Sequence, residues 1–169
     1  MAPAADEPLL PDLLQPGLKL VFCGTAASRR SAAEGAYYAH PGNWFWRALF
    51  ESGITPRQFA PCEFRQLIQH GIGLTDLAKY HAGNDHELPR DAFDVASLLA
   101  RIEHHAPRRL AFTSKNAARA VLGRVIDYGL QPETLGATRL FVLPSPSGQA
   151  RGHWNLTPWR KLSDDLVAS

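Results

Sequence analysis

The sequence predicts an α/β fold, a three-layer α/β/α sandwich around a short, mainly parallel central sheet. Apolar runs of strand length at residues 18–23, 109–113 and 138–143 each lead into small or turn-forming residues. Between them lie segments whose apolar residues recur at helical spacing. At 169 residues, with 45% hydrophobic and 20% charged, the chain is long enough to bury roughly two-thirds of its unfolded surface as one domain.

Residues 1–17 carry Pro3, Pro8, Pro11 and Pro16 with little periodicity, so they read as an extended or disordered arm outside the core. A single domain is then expected over 18–169. Its first strand, 18–23, is uniformly apolar, as a central strand covered on both faces must be, and a small-residue loop follows at 24–28. Asn43 can cap a helix carrying Trp44, Phe45, Trp46, Leu49 and Phe50 that stops near Gly53. A short helix over 63–70 ends before Gly71, and 72–77 reads as a strand or an irregular segment. Phe93, Val95, Leu98, Leu99 and Ile102 mark a helix over 91–105. A strand at 109–113, a helix at 115–123, a last strand at 138–143 and an amphipathic helix over 158–167 complete the chain. Right-handed crossovers would bring the segments 24–31, 73–79 and 144–151 together at the carboxyl edge of the sheet, where open α/β sheets bind ligands.

Composition removes several classes of function. Cys23 and Cys62 are too few for a disulfide framework or a zinc site and read as buried or incidental thiols. No stretch reaches the length of a membrane span, and the N-terminus lacks the basic start of a signal peptide, which predicts a soluble cytoplasmic protein. Net charge is +2, from 18 Lys and Arg against 16 Asp and Glu, too small to argue for a polyanion partner. Asp6, Glu7 and Asp12 are acidic points of the arm, whereas Arg29, Arg30, Arg108, Arg109, Arg151, Arg160 and Lys161 form either a basic face or scattered surface charge. Asn84, Asp85, His86 and Glu87, and the pair His104 and His105, lack metal-ligand spacing; the first cluster reads as a solvated loop.

The most specific signal lies in three separated regions. The first holds Val-Phe-Cys-Gly-Thr-Ala-Ala-Ser at 21–28, Gly-Ala-Tyr-Tyr-Ala-His-Pro-Gly-Asn-Trp-Phe-Trp at 35–46 and Ser-Gly-Ile-Thr at 52–55. The second is Gly-Ile-Gly-Leu-Thr-Asp at 71–76 and the third Leu-Pro-Ser-Pro-Ser-Gly at 143–148. In this order they resemble the mismatch-specific uracil-DNA glycosylases, whose pattern is a G-I-N-P-G loop after a strand, A-H-P-x-N-x-F-W, a G-[VL]-T segment and an L-P-N-P-S-G loop. The resemblance spans about residues 18–165. It implies a uracil-DNA glycosylase-like fold and a monofunctional base-excision-repair hydrolase that flips uracil out of DNA and cuts its N-glycosidic bond, leaving an abasic site. It further implies a cytosolic monomer whose partner is DNA containing uracil or a mismatched or damaged base, with no cofactor, metal or membrane.

One departure shapes the expected chemistry. Where that family carries a water-positioning Asn, this chain has Ala26, and Ala27 replaces the following Pro. A methyl group neither orients water nor accepts a proton. Asp76 is the candidate catalytic group, because the family fold brings its segment against the same pocket, and a carboxylate beside the anomeric carbon can stabilise an oxocarbenium-like sugar and align or deprotonate water. Equally, a Thr-Asp pair before Leu77 can simply start a helix or turn.

For base binding the resemblance points to Tyr38 as the stacking ring, Ser31 as a rim hydrogen-bonding group, and the backbone amides of Gly24, Thr25, Ala26 and Ala27. Asn43 would meet the base edge or only cap its helix, and His40 would lock the Ala-His-Pro turn. The loop of Ser145, Pro146, Ser147, Gly148, Gln149 and Arg151 would contact DNA, with Gln149 in place of an apolar wedge, which loosens mismatch selectivity. Trp154 and Trp159 would touch DNA or pack a C-terminal helix. Two alternatives stay open: a damage-binding protein with a degenerate site, and a glycosylase for deaminated purines such as hypoxanthine or xanthine.

Overall fold

The computed structural model describes residues 7–168. Five strands form one sheet in the order β2-β1-β3-β5-β4, where β1 is Leu20–Ala27, β2 Ile72–Ala82, β3 Arg109–Phe112, β4 Gly129–Leu135 and β5 Thr138–Val142. All neighbours run parallel except β4, which pairs antiparallel with β5. The helices are α1 (Arg29–Glu34), α2 (Phe45–Glu51), α3 (Val95–His105), α4 (Lys115–Leu122) and α5 (Thr157–Ala168).

Alternation along β1 divides the core into two layers. Leu20 and Phe22 face the layer built by Phe45, Ala48 and Leu49 of α2 and by Trp159 and Leu162 of α5. Val21 and Cys23 face the layer built by Leu98 and Ile102 of α3 and Ala117 and Ala118 of α4. Removing each such large side chain from water contributes roughly 1.5–3 kcal/mol. The expected three-layer α/β/α sandwich is therefore the observed architecture.

Several local readings are corrected. Residues 24–27, expected as a loop, continue β1, and Gly24 pairs with Asp76 across the ladder. The 72–77 segment is the strand β2, extended to Ala82, so no helix begins at Leu77 and Asp76 caps nothing. Two elements escaped the sequence reading: α1, a single turn and a half opened by the Ser28 side chain and closed at left-handed Gly35, and β4. Strand β4 contains Pro132 and shows no apolar alternation, both tolerable only because it is an edge strand whose ladder is broken between Leu130 and Thr134. Helix α3 begins at Val95, after Asp94 accepts the Ser97 N–H. Helix α2 begins at Phe45, whose N–H donates to Asn43 Oδ1 at 2.9 Å, so the expected cap acts from one place earlier than a regular N-cap.

The arm reading also changes. Residues 1–6, with Pro3 and Asp6, lie outside the described residues, but from Glu7 on the segment is built into the domain. Leu10 is in the core, and Leu13 forms an antiparallel bridge with Leu74. Gly73 makes this approach possible, since a Cβ there would stand 2.4 Å from the Leu13 carbonyl oxygen. Among the described residues, no helix is long and apolar enough to cross a membrane.

From β1 the chain moves to β2 on one side and then returns past β1 to β3 on the other. The connections leaving β1 and β3 therefore diverge, which opens a crevice at their carboxyl ends.

Candidate active site

That crevice is a cavity of about 490 Å³. The end of β1 supplies Gly24, Thr25, Ala26 and Ala27; α1 and the turn after it supply Ser31, Tyr38 and Asn43; β2 supplies Asp76; and the loop after β5 supplies Ser145, Pro146, Ser147 and Gln149. All of these were expected together from the sequence. Gly148 and Arg151 are not in the lining. A Cβ at Gly148 would stand 3.5 Å from the Gly42 carbonyl oxygen, and Arg151 donates to Gly42 O at 2.9 Å while its guanidinium covers the Trp44 ring at 4.2 Å. Arg151 thereby ties the loop to the turn before α2, a positioning task rather than a place in the cavity.

The floor of the cavity is set by Gly24. A methyl group at its Cα would stand 3.2 Å from Asp76 Oδ1, 3.2 Å from the Tyr38 hydroxyl and 3.5 Å from Thr113 Oγ1. Three polar groups thus converge on one small space, and only the absence of a side chain keeps it open. Asp76 is 4% exposed. Burial raises its carboxyl from 3.8 to about 6, against the opposing pull of Lys79 and Arg101 and with the help of the Asp12 charge. Such a group changes protonation close to neutral pH, as a proton-transferring carboxylate must.

Tyr38 is held with unusual definition. Its ring stacks on Phe45 at 3.8 Å between centroids and 18° between planes, and its hydroxyl lies 3.2 Å from Thr113 Oγ1. The backbone is left-handed there, with φ of 52°, a conformation that costs a non-glycine residue on the order of 1–2 kcal/mol and that packing must impose. Ser31 Oγ anchors the same turn by accepting the Ala39 N–H at 3.0 Å. Phe45 covers one face of the ring, and Tyr38 is among the residues lining the cavity. Burial keeps the Tyr38 phenol neutral.

Asn43 Oδ1 accepts from Phe45, which leaves its amide NH₂ and one Oδ1 lone pair for a ligand. His40 Nδ1 accepts the Gly42 N–H at 2.9 Å, the turn-locking contact that its sequence setting suggested. Ser145 and Ser147 each accept a backbone N–H two residues ahead, at 3.2 Å, shaping the loop themselves. Trp159 is fully buried and Trp154 packs against it and Trp44, so both Trp residues belong to the packing of the C-terminal region.

Sequence reasoning missed part of the lining. Thr113, Ser114, Lys115 and Asn116, at the end of β3 and the start of α4, line the cavity with Tyr128, and the Lys115 ammonium sits 4.4 Å over the Tyr128 ring. The signal was present: these polar residues follow an apolar strand just as 24–28 do. Asp85 was read as part of a solvated loop. In fact it bridges the cavity mouth, accepting from Thr25 Oγ1 at 2.6 Å and from Asn116 Nδ2 at 2.7 Å. Both its oxygens are occupied, which separates it from Asp76. Among the described residues no three His, Cys, Asp or Glu side chains are grouped so as to hold a metal ion.

The crevice at the switch point of the α/β sheet thus brings a buried carboxylate and a fixed aromatic ring into one cavity. The sequence model of the uracil DNA glycosylase superfamily matches residues 11–166, and the chain belongs to that superfamily. It is thus a DNA glycosylase by class. Its fold is similar to the solution NMR structure of a candidate uracil DNA glycosylase from Methanosarcina acetivorans, with a TM-score of 0.66 and 23% identity over 94% of this chain and 96% of that one.

Proposed function

We propose that the chain is a monofunctional uracil-DNA glycosylase related to the mismatch-specific type, in which Asp76 does the work of the missing loop Asn. The convergence of the Asp76 carboxylate, the Tyr38 hydroxyl and the Thr113 hydroxyl over Gly24 carries this reading. A uracil extruded from the duplex would enter between Tyr38 and the 145–149 loop, with its ring against the face of Tyr38 opposite Phe45. Extrusion costs a few kcal/mol and is cheapest at a mismatched pair. The Asn43 NH₂ and those amides at the end of β1 that the ladder with β2 leaves unpaired would be the donors to the base carbonyls.

Hydrolysis then needs few parts. The bond between C1′ and N1 breaks with its electron pair leaving on the base, the sugar becomes oxocarbenium-like, and water adds to C1′. Ionised Asp76 stabilises the cationic sugar and accepts the water proton, which ends on the departing uracil. The products are free uracil and an abasic site.

Lys115 and the 145–149 loop, which line the same cavity, would hold backbone phosphates on either side of the extruded nucleotide. With Gln149 rather than an apolar residue at the wedge position, discrimination of the partner base should be slight. Duplexes carrying uracil opposite G or A, hypoxanthine or xanthine, followed by alkaline cleavage of abasic sites, test the reading. Cleavage at uracil is expected; binding without cleavage would mean a damage-recognition protein, and cleavage at purines alone a different glycosylase. Replacing Tyr38 by Ala should weaken binding to a uracil duplex by ~1–3 kcal/mol, measured as a roughly 5- to 150-fold rise in Kd.

A further inference from the structure

Asp76 does not stand alone in its buried setting. Lys79, 7% exposed, places its Nζ 3.6 Å from Asp76 Oδ2. The same ammonium is 2.8 Å from Asp12 Oδ1 and donates to the Tyr37 hydroxyl at 3.2 Å, which in turn donates to the Pro11 carbonyl at 3.0 Å. Residues three apart on a regular strand point to opposite faces. Here the ladder with β1 slips, pairing Ala26 with Ala78 but Ala27 with Ala82, so Lys79, Tyr80 and His81 have no β1 partner. The bulge begins at Lys79 and turns its side chain under the cavity floor.

We propose that Lys79 is the positioning residue that keeps Asp76 ionised and aimed at the cavity, and that Asp12 of the N-terminal segment sets how much of the Lys79 charge Asp76 receives. The proposal rests on Asp76 being the catalytic carboxylate. The charged and titratable groups around Asp76 come from every packed element. Lys79 is on β2 and Asp12 on the N-terminal segment; Arg101 of α3 donates to the Asp76 carbonyl at 2.8 Å; Cys23 is on β1; Tyr37 and Tyr38 follow α1. Burial keeps the thiol and both phenols neutral, which leaves two cations and one further carboxylate to decide the charge on Asp76.

Arg101 is already committed. It bonds Ser97 at 2.7 Å and the Asp76 carbonyl, and its Nε faces Asp12 Oδ2 at 3.2 Å. Lys79 is the only cation among the described residues with an ion pair to the Asp76 carboxylate itself. Asp12 competes for it at the shorter distance. The N-terminal segment therefore reaches the chemistry through one carboxylate, without lining the cavity at Asp12.

The test reads the ionisation of Asp76 directly, by carboxyl NMR titration of the full chain without DNA, alongside single-turnover excision on a uracil duplex. In Lys79→Met the Asp76 midpoint should rise by about one pH unit or more. Excision should fall about tenfold at pH 6 and recover toward alkaline pH, whereas Lys79→Arg should stay near wild type. In Asp12→Asn the midpoint should fall. A midpoint unmoved by Lys79→Met, or an equal loss of rate at every pH, would overturn the proposal. If Lys79→Met does not fold, Asp12→Asn decides, a rise or no change counting against it. The titration stands apart from catalysis: activity retained in Asp76→Asn would sink the catalytic assignment, while an unmoved midpoint with an inactive Asp76→Asn would sink only the role of Lys79.

Discussion

Asp76→Asn should lose excision activity by about 10²- to 10⁴-fold while the protein becomes more stable at neutral pH. The amide keeps the shape of the side chain but cannot take a proton or oppose a cationic sugar. The stability gain follows from the same burial. With the carboxyl raised from 3.8 to about 6, the folded state holds the proton more tightly than the unfolded chain between those values. Stability therefore falls as pH rises through that window, and the full cost, up to about 3 kcal/mol, persists above it. Asn carries no such cost, and Lys79 still has Asp12 as a partner. The Asn variant should melt several degrees higher than wild type at pH 7.5, and the difference should vanish below about pH 4, where both side chains are neutral. Activity and stability moving in opposite directions is the signature of a group kept for chemistry. Equal melting temperatures across this range would mean that Asp76 is not buried at a cost.

Gly24→Ala should reduce excision roughly 100-fold with little change in stability. Its added methyl would fall 3.2 Å from both Asp76 Oδ1 and the Tyr38 hydroxyl, in the space where the proposed reaction brings water and the anomeric carbon together. These neighbours are the ends of side chains and can retreat by a few tenths of an ångström, and Ala suits a strand better than Gly by roughly 0.5–1 kcal/mol. The change therefore acts on the reaction rather than on folding. A single-turnover rate within a few-fold of wild type, at an unchanged melting temperature, would remove Gly24 from the floor of the site.

Much of this was written locally in the chain. Apolar runs without alternation gave β1, β3 and β5, because strands covered on both faces leave no solvent side to mark. The cluster of Gly24, Tyr38, Asp76 and 145–149 was legible because its motifs lie on or just after strands of one parallel sheet, whose carboxyl side topology gathers into a crevice. Other features depend on contacts distant in sequence. Strand β4 forms with Pro132 and Gln131 in it because β5 offers an edge, not because its residues prefer a strand. The place of Asp85 depends on Thr25 and Asn116, far from it in the chain. The bulge at Lys79–His81 and the docking of Asp12 leave no periodic trace, so the charge network under Asp76 could only be found in three dimensions.

Single-turnover release of uracil from a U·G duplex, followed from pH 4.5 to 8.5, asks both whether the base is excised and whether a buried carboxylate does it. Release should rise with pH to a plateau, half-maximal near the value of about 6 that burial gives Asp76. Absence of uracil release at every pH, or a rate that does not change through this range, would contradict it.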